Sequence, residues 1–163
     1  MINDHLLRLG KLVANLQSLE GLLRAYLLGI AQKGTGAIPS RLDYFSLKPG
    51  DVVTENEFTS YDSLGTLISK YNEDVRTRDE SLIIDPKIVD IRDLLAHGRV
   101  MSRAADLSDL AIVKFDRPSN GHVKVMACAQ MTDSWFDSNI RLAYNLIGTV
   151  RKAYGRFAEE QSK

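Results

Sequence analysis

Leu9, Leu12, Leu16, Leu19, Leu23, Tyr26 and Ile30 recur at an alternating three- and four-residue spacing. That spacing puts them on one face of a helix, predicted from about Asn3 to Gln32. Leu6, Val13, Leu22 and Leu27 widen the stripe beyond a two-helix seam. A stripe this broad suits a helix inside a bundle, with room to pack against a second subunit. Gly34-Thr35-Gly36 is expected to end the helix. It is not a phosphate loop, because it follows a helix and lacks the lysine-serine or lysine-threonine ending. From Ala37 to Thr59 no period is visible, and Pro39 and Pro49-Gly50 point to an ordered loop with short extended pieces. Loops this long within a bundle are often functional.

A second helix is predicted from Tyr61 to Glu73, capped by Ser60 or Thr59, with Leu64, Leu67, Ile68 and Tyr71 as its apolar face. Asp85 as N-cap and Pro86 at the first helical position open a third, running to about Met101. At about 100° per residue, Ile88, Ile91, Leu94, Leu95 and Gly98 fall on one side of it. Arg92, Asp93, Ala96, His97 and Arg99 fall on the other. Gly98 either ends the helix or permits close packing. Leu110–Phe115 and Val123–Cys128 read as two strands of a hairpin, with a turn at Pro118 to Gly121. A last helix is predicted from Asp133, its N-cap, to about Glu159, with a frayed end beyond. The predicted fold class is mainly α: a helical bundle of at least four helices with one small β-hairpin, as a single domain over residues 1–163.

Composition narrows the function classes. The chain has 163 residues, enough for a proper core. Its 21 basic and 21 acidic residues give zero formal net charge, which argues against non-specific coating of nucleic acid but leaves room for a local basic site. The single cysteine, Cys128, excludes an intrachain disulfide and fits the reducing cytoplasm. Lying in an alternating apolar run, it is expected to be a buried, inert thiol. No stretch is long and apolar enough to span a membrane, and the N-terminus lacks the basic start of a signal peptide. A cytoplasmic protein without membrane contact is therefore expected.

The chemistry concentrates in Arg92-Asp93-Leu94-Leu95-Ala96-His97-Gly98-Arg99. An arginine can hold a phosphate, a histidine can move a proton near neutral pH, and a carboxylate can orient the imidazole. Asp93 and His97 are an i,i+4 pair, close enough to touch. Arg92 and His97 lie about 140° apart around the axis, with ~7.5 Å of rise between them. They flank one phosphate only if the ligand crosses the helix or a second copy completes the site.

This run resembles the R-x4-6-H motif of HEPN domains, in which a polar residue commonly follows the arginine. Arg92, Asp93 and His97 match it in turn. The order of a long amphipathic helix, a motif helix and a closing long helix also resembles the HEPN bundle over nearly the whole chain. Two features depart from it: Gly98-Arg99 stands where some toxins of the family carry H-x-Y, and the hairpin is an addition. The resemblance implies a metal-independent endoribonuclease. The substrate's 2′-hydroxyl attacks phosphorus, His97 is general base or acid, Arg92 stabilises charge on the non-bridging oxygens, and Asp93 orients the ring. It further implies RNA as partner, no cofactor, a homodimer that brings two motifs together, and a toxin–antitoxin or phage-defence setting with a possible antitoxin or other protein partner. Arg99 and Arg103, continuing the Arg92 side of the helix, read either as a solvated helix end that favours cations near its C-terminus or, beside His97, as candidate RNA-binding residues. The rivals are a catalytically silent HEPN module that binds RNA, a nucleotide or a protein, and a helical dimerisation domain.

Other candidates are weaker. His5, His97 and His122 are dispersed, and Asp90, Asp93 and His97 share a helix face without further ligands, so no metal is expected. No nucleophile elbow supports a serine hydrolase. Glu20 and Arg24 read as a solvated i,i+4 surface pair. His122, after the turn glycine, reads as an exposed strand-end residue.

Overall fold

The computed structural model describes residues 2–32, 46–105 and 109–161. The fold is a mainly α bundle of four helices with a small antiparallel sheet. In chain order these are α1 (Ile2–Ala31), α2 (Leu64–Arg76), a short 3-10 turn (Glu80–Leu82), α3 (Ile88–His97), β1 (Arg99–Ser102), β2 (Leu110–Phe115), β3 (Val125–Gln130) and α4 (Asp133–Gln161). The Gly34-Thr35-Gly36 stop, the first part of the 37–59 loop and the last two residues of the predicted frayed end lie outside the described residues. Residues 46–59 carry turns but no helix or strand, in keeping with their lack of period, and residues 61–63, expected to open the second helix, lie outside it.

Several boundaries differ from expectation, each for a local reason. α2 begins at Leu64, because the Ser63 hydroxyl accepts the Thr66 N–H and Ser63 is extended. The Asp85 carboxylate accepts the Lys87 N–H at 2.9 Å and shapes a turn, so regular helix starts only at Ile88. α4 is capped by Thr132, whose hydroxyl accepts the Trp135 N–H at 3.2 Å. The largest correction is at the end of α3. The helix stops at His97, Gly98 is extended, and Arg99–Ser102 is a strand rather than the last stretch of the helix expected to about Met101. β1 pairs antiparallel with β2, Arg99 opposite Val113 and Ser102 opposite Leu110. The expected hairpin is thus extended to three strands in the order β1-β2-β3. β3 starts at Val125, two residues later than expected, after a register shift at Lys114/Phe115. Asn120 and Gly121, both at positive φ (51° and 76°), make the two-residue turn that the sequence Asn-Gly favours.

The residues group into two compact units: Met1–Ser18 with Asp85–Gly148, and Leu19–Ile84 with Thr149–Lys163. In the first, Leu12, Leu16, Ile88, Leu94, Ile112 and Phe136 are buried. Arg8 pairs with Asp4, Asp133 and Asp137. In the second, Tyr26 and Tyr71 meet edge to face at 5.0 Å, both fully buried. Their hydroxyls are satisfied: Tyr26 donates to Asp74 at 2.7 Å and Tyr71 to the Leu82 carbonyl at 2.9 Å. Burial pushes both hydroxyls well above the usual tyrosine range, and for Tyr26 the bond to Asp74 adds to it.

The Glu20–Arg24 pair is not a solvated one. The Arg24 side chain is only 13% exposed and also donates to the Ser60 and Asp62 carbonyls at 2.7 and 2.8 Å. It fastens the 46–63 loop in the second unit, together with Lys70, which bonds Glu57 and Asp62. Hydrogen bonds from Lys70 hold the Asp62 carboxyl below its usual range.

Candidate functional site on helix α3 and strand β1

The predicted faces of α3 are realised. Ile88 and Leu94 are buried, Ile91 and Leu95 half-buried, and Ala96 and His97 exposed. The polar side is held against the sheet by a lysine the motif does not contain. Lys114 Nζ donates to Asp93 Oδ2 at 3.2 Å, while Asp93 Oδ1 faces Arg92 Nη1 at 3.5 Å. The Asp93 carboxylate therefore lies between two cations. It makes no hydrogen bond to His97 among the described residues, contrary to the expected contact with the ring. Both motif side chains stay accessible: the Arg92 side chain is 37% exposed, and His97 is exposed at the last helical position.

Gly98 does both things its sequence position allowed. It ends the helix, with its N–H bonded to the Leu94 carbonyl at 2.7 Å, and it permits close packing. A Cβ there would lie 2.4 Å from the Leu94 oxygen and 2.6 Å from Ile112 Cγ1. No side chain fits, so the backbone between His97 and Arg99 is clamped between a helix turn and the buried Ile112 of β2. This sets where the histidine ends and the strand begins.

Arg99 and Arg103 do not continue the Arg92 side of a helix, because that helix ends before them. Arg99 opens β1 and sits over the Phe115 ring, with its guanidinium carbon 5.4 Å from the ring centre. Arg103 follows the other end of the strand, exposed but paired with Asp109 at 3.0 Å. The structure thus gathers Arg92, Asp93 and Lys114, places His97 and Arg99 on either side of Gly98, and leaves Arg103 apart.

Lys114 and Phe115 are the residues that the sequence reading missed. A signal existed. In a strand, alternate residues share a face, so Lys114 points the same way as the buried Ile112. An inward lysine beside a helix needs a carboxylate, and Asp93 supplies it. Cys128 corrects an expectation as well. It is exposed, not buried, because it pairs with Val113 on the sheet face turned away from Ile112.

Among the described residues, no group of three histidine, cysteine, aspartate or glutamate side chains is placed to hold a metal, and no helix is long and apolar enough to cross a membrane. His122 is exposed at the hairpin turn, as expected. A comparison of the chain with protein-family models, curated proteins and solved structures finds no match.

Proposed function

We propose that the chain is a metal-independent endoribonuclease of HEPN type, with Arg92 and His97 as its catalytic pair. The observation that carries this reading is that both side chains are open to solvent on one short helix, and that Asp93 and Lys114 brace the arginine. A guanidinium held by a carboxylate keeps its remaining N–H groups free for the non-bridging oxygens of a phosphodiester. His97 has no protein partner among the described residues, so a substrate proton is free to take that place.

The reaction balances without a cofactor. The 2′-hydroxyl oxygen bonds to the adjacent phosphorus as an imidazole takes its proton. The P–O5′ bond breaks, and an imidazolium gives a proton to the departing O5′. The products are a 2′,3′-cyclic phosphate and a 5′-hydroxyl. In an in-line attack O2′ and O5′ lie on opposite sides of phosphorus, so one ring does not reach both, whereas two copies of the chain supply one ring for each. A homodimer with its two α3 helices facing one another therefore belongs to the proposal, as it also answers the wide angle between Arg92 and His97 on one helix.

The test is incubation with total tRNA and with a structured messenger fragment in excess EDTA, followed by end-group analysis. Cleavage in chelator with cyclic-phosphate and 5′-hydroxyl ends is expected. Cleavage that requires added Mg²⁺, or that leaves 5′-phosphates, contradicts the mechanism. RNA binding without cleavage would instead favour the silent module.

A further inference from the structure

We propose that the open face of the β1-β2-β3 sheet is a landing surface for single-stranded RNA, with one base stacked on the Arg99 guanidinium and Phe115 backing it. The identity of the polymer rests on the ribonuclease reading; the surface itself rests on the following.

The two faces of the sheet differ. Ile112, Lys114 and their partners Val100 and Ala129 share the face that meets α3, shown by Ile112 against Gly98 and Lys114 on Asp93. By alternation, Arg99, Met101, Val113, Phe115 and Cys128 stand on the opposite face. Met101 and Cys128 there are exposed. A water-facing sheet surface with an aromatic ring and flat guanidinium resembles, in its chemistry, the surfaces on which unpaired bases stack.

Charge selects the occupant. The chain as a whole is neutral, but among the strand residues on this face Arg99 is the one charged side chain and no carboxylate accompanies it; Lys114 belongs to the other face, paired with Asp93. Arg103, just past β1, is paired with Asp109 and adds no net charge. A second copy docked through this same face would set one Arg99 against the other, whereas an RNA strand brings the opposite sign.

Arg99 stands two residues from His97 across the rigid Gly98. A base held on Arg99 would fix which phosphodiester lies near the imidazole. A duplex cannot offer a free base face, so the surface discriminates by strand state: an unpaired nucleotide must flank the cut. The ring–guanidinium contact needs both planes. Lysine keeps the charge but has no plane to stack, which separates stacking from simple phosphate attraction.

Fluorescence anisotropy with a labelled single-stranded RNA carrying 2′-fluoro groups tests this on the whole protein. Such RNA lacks the attacking hydroxyl, so binding is read whether or not the chain cleaves. Arg99→Lys and Phe115→Leu should each weaken binding about five- to hundredfold, the range for one lost base stack. Arg99→Lys should do so with little change in salt dependence, since the charge remains. A fully paired hairpin of the same length should bind more weakly than the single strand. Wild type that fails to bind the single strand, or binds the hairpin equally well, overturns the proposal. So does Arg99→Lys binding at the wild-type level; Arg99 is exposed, so this variant folds whatever befalls Phe115→Leu. Self-association lost in Phe115→Leu, without a change in RNA binding, would assign the face to a second copy instead. Failed cleavage with intact, variant-sensitive binding would sink the nuclease reading alone.

Discussion

The two units of the molecule finish their surfaces differently. In the unit of Leu19–Ile84 with Thr149–Lys163, the exposed large apolar residues among those described, Leu47, Val52, Val53, Tyr61 and Ile83, lie outside helices. Its helices keep their apolar side chains covered, and its buried hydroxyls and loop carbonyls have partners. In the unit of Met1–Ser18 with Asp85–Gly148, all but one of the exposed large apolar residues described sit on the regular elements themselves, as Leu6 and Leu7 on α1, Val100 and Met101 on β1, Val125 and Met126 on β3 and Tyr144 on α4; the exception is Val123, ahead of β3. Apolar surface on rigid elements costs solubility unless something covers it. That unit also carries Arg92, His97 and Arg99. The better-covered unit is the closed one; the open one holds the candidate site residues and the apolar side chains left exposed on its helices and strands.

Deleting a buried ring from the closed unit should give the largest effect on stability. Tyr71→Ala removes a fully buried side chain and its bond to Leu82. It should cost about 3–5 kcal/mol in chemical denaturation. A cost near zero would show that the closed unit is not the better-covered one. Gly98→Ala comes next, at about 1–3 kcal/mol, because the new methyl meets a backbone oxygen and Ile112. It should also lower RNA cleavage, since His97 and Arg99 flank the clamp; full activity with lowered stability would break the link between clamp and site.

The fold perturbs ionisation in both units: Arg8 is raised in the open one, and Tyr26, Asp62, Lys70, Tyr71 and Asp79 are shifted in the closed one. Hydrogen bonds from Ser81, and then from Arg156, hold the Asp79 carboxyl below the ordinary value of 3.8. Its stabilising contribution is complete above that value and is lost as pH falls through the lower, folded one. Tyr26 and Tyr71 are raised above 10.0, so their contribution is complete below that pH and is lost as pH climbs through the folded values. Melting temperature should therefore fall at both extremes, and Asp79→Asn should lessen the acid-side fall alone. The smallest change is expected on the open unit: Tyr144→Ala, at an exposed ring, should alter stability by less than about 0.5 kcal/mol. A larger loss would mean that Tyr144 is covered in solution, as a dimer would cover it.

The long helices were legible because their periodicity is internal to them. Leu12, Leu16, Leu19, Leu23 and Tyr26 are all buried, and the seam that places them is complete in the sequence. The polar side of α3 was legible for the same reason. What the sequence hid depends on partners far along the chain. Arg99–Ser102 continues a helical pattern on paper and becomes a strand only because Leu110–Val113 lies beside it. Arg24 reads as half of an i,i+4 pair, and its bonds to Ser60 and Asp62 lie 36 and 38 residues away. Lys114 hid in the same way, since its carboxylate is 21 residues back.

The central claim, that the open unit works through Arg92 and His97, is tested most directly by the cleavage rate of His97→Ala beside its melting curve. The histidine is exposed and bonds nothing among the described residues, so the variant should melt with the wild type. Its cleavage rate should drop by roughly 10²–10⁴, the usual worth of a general acid–base group. Wild-type cleavage by a folded His97→Ala chain would contradict the account.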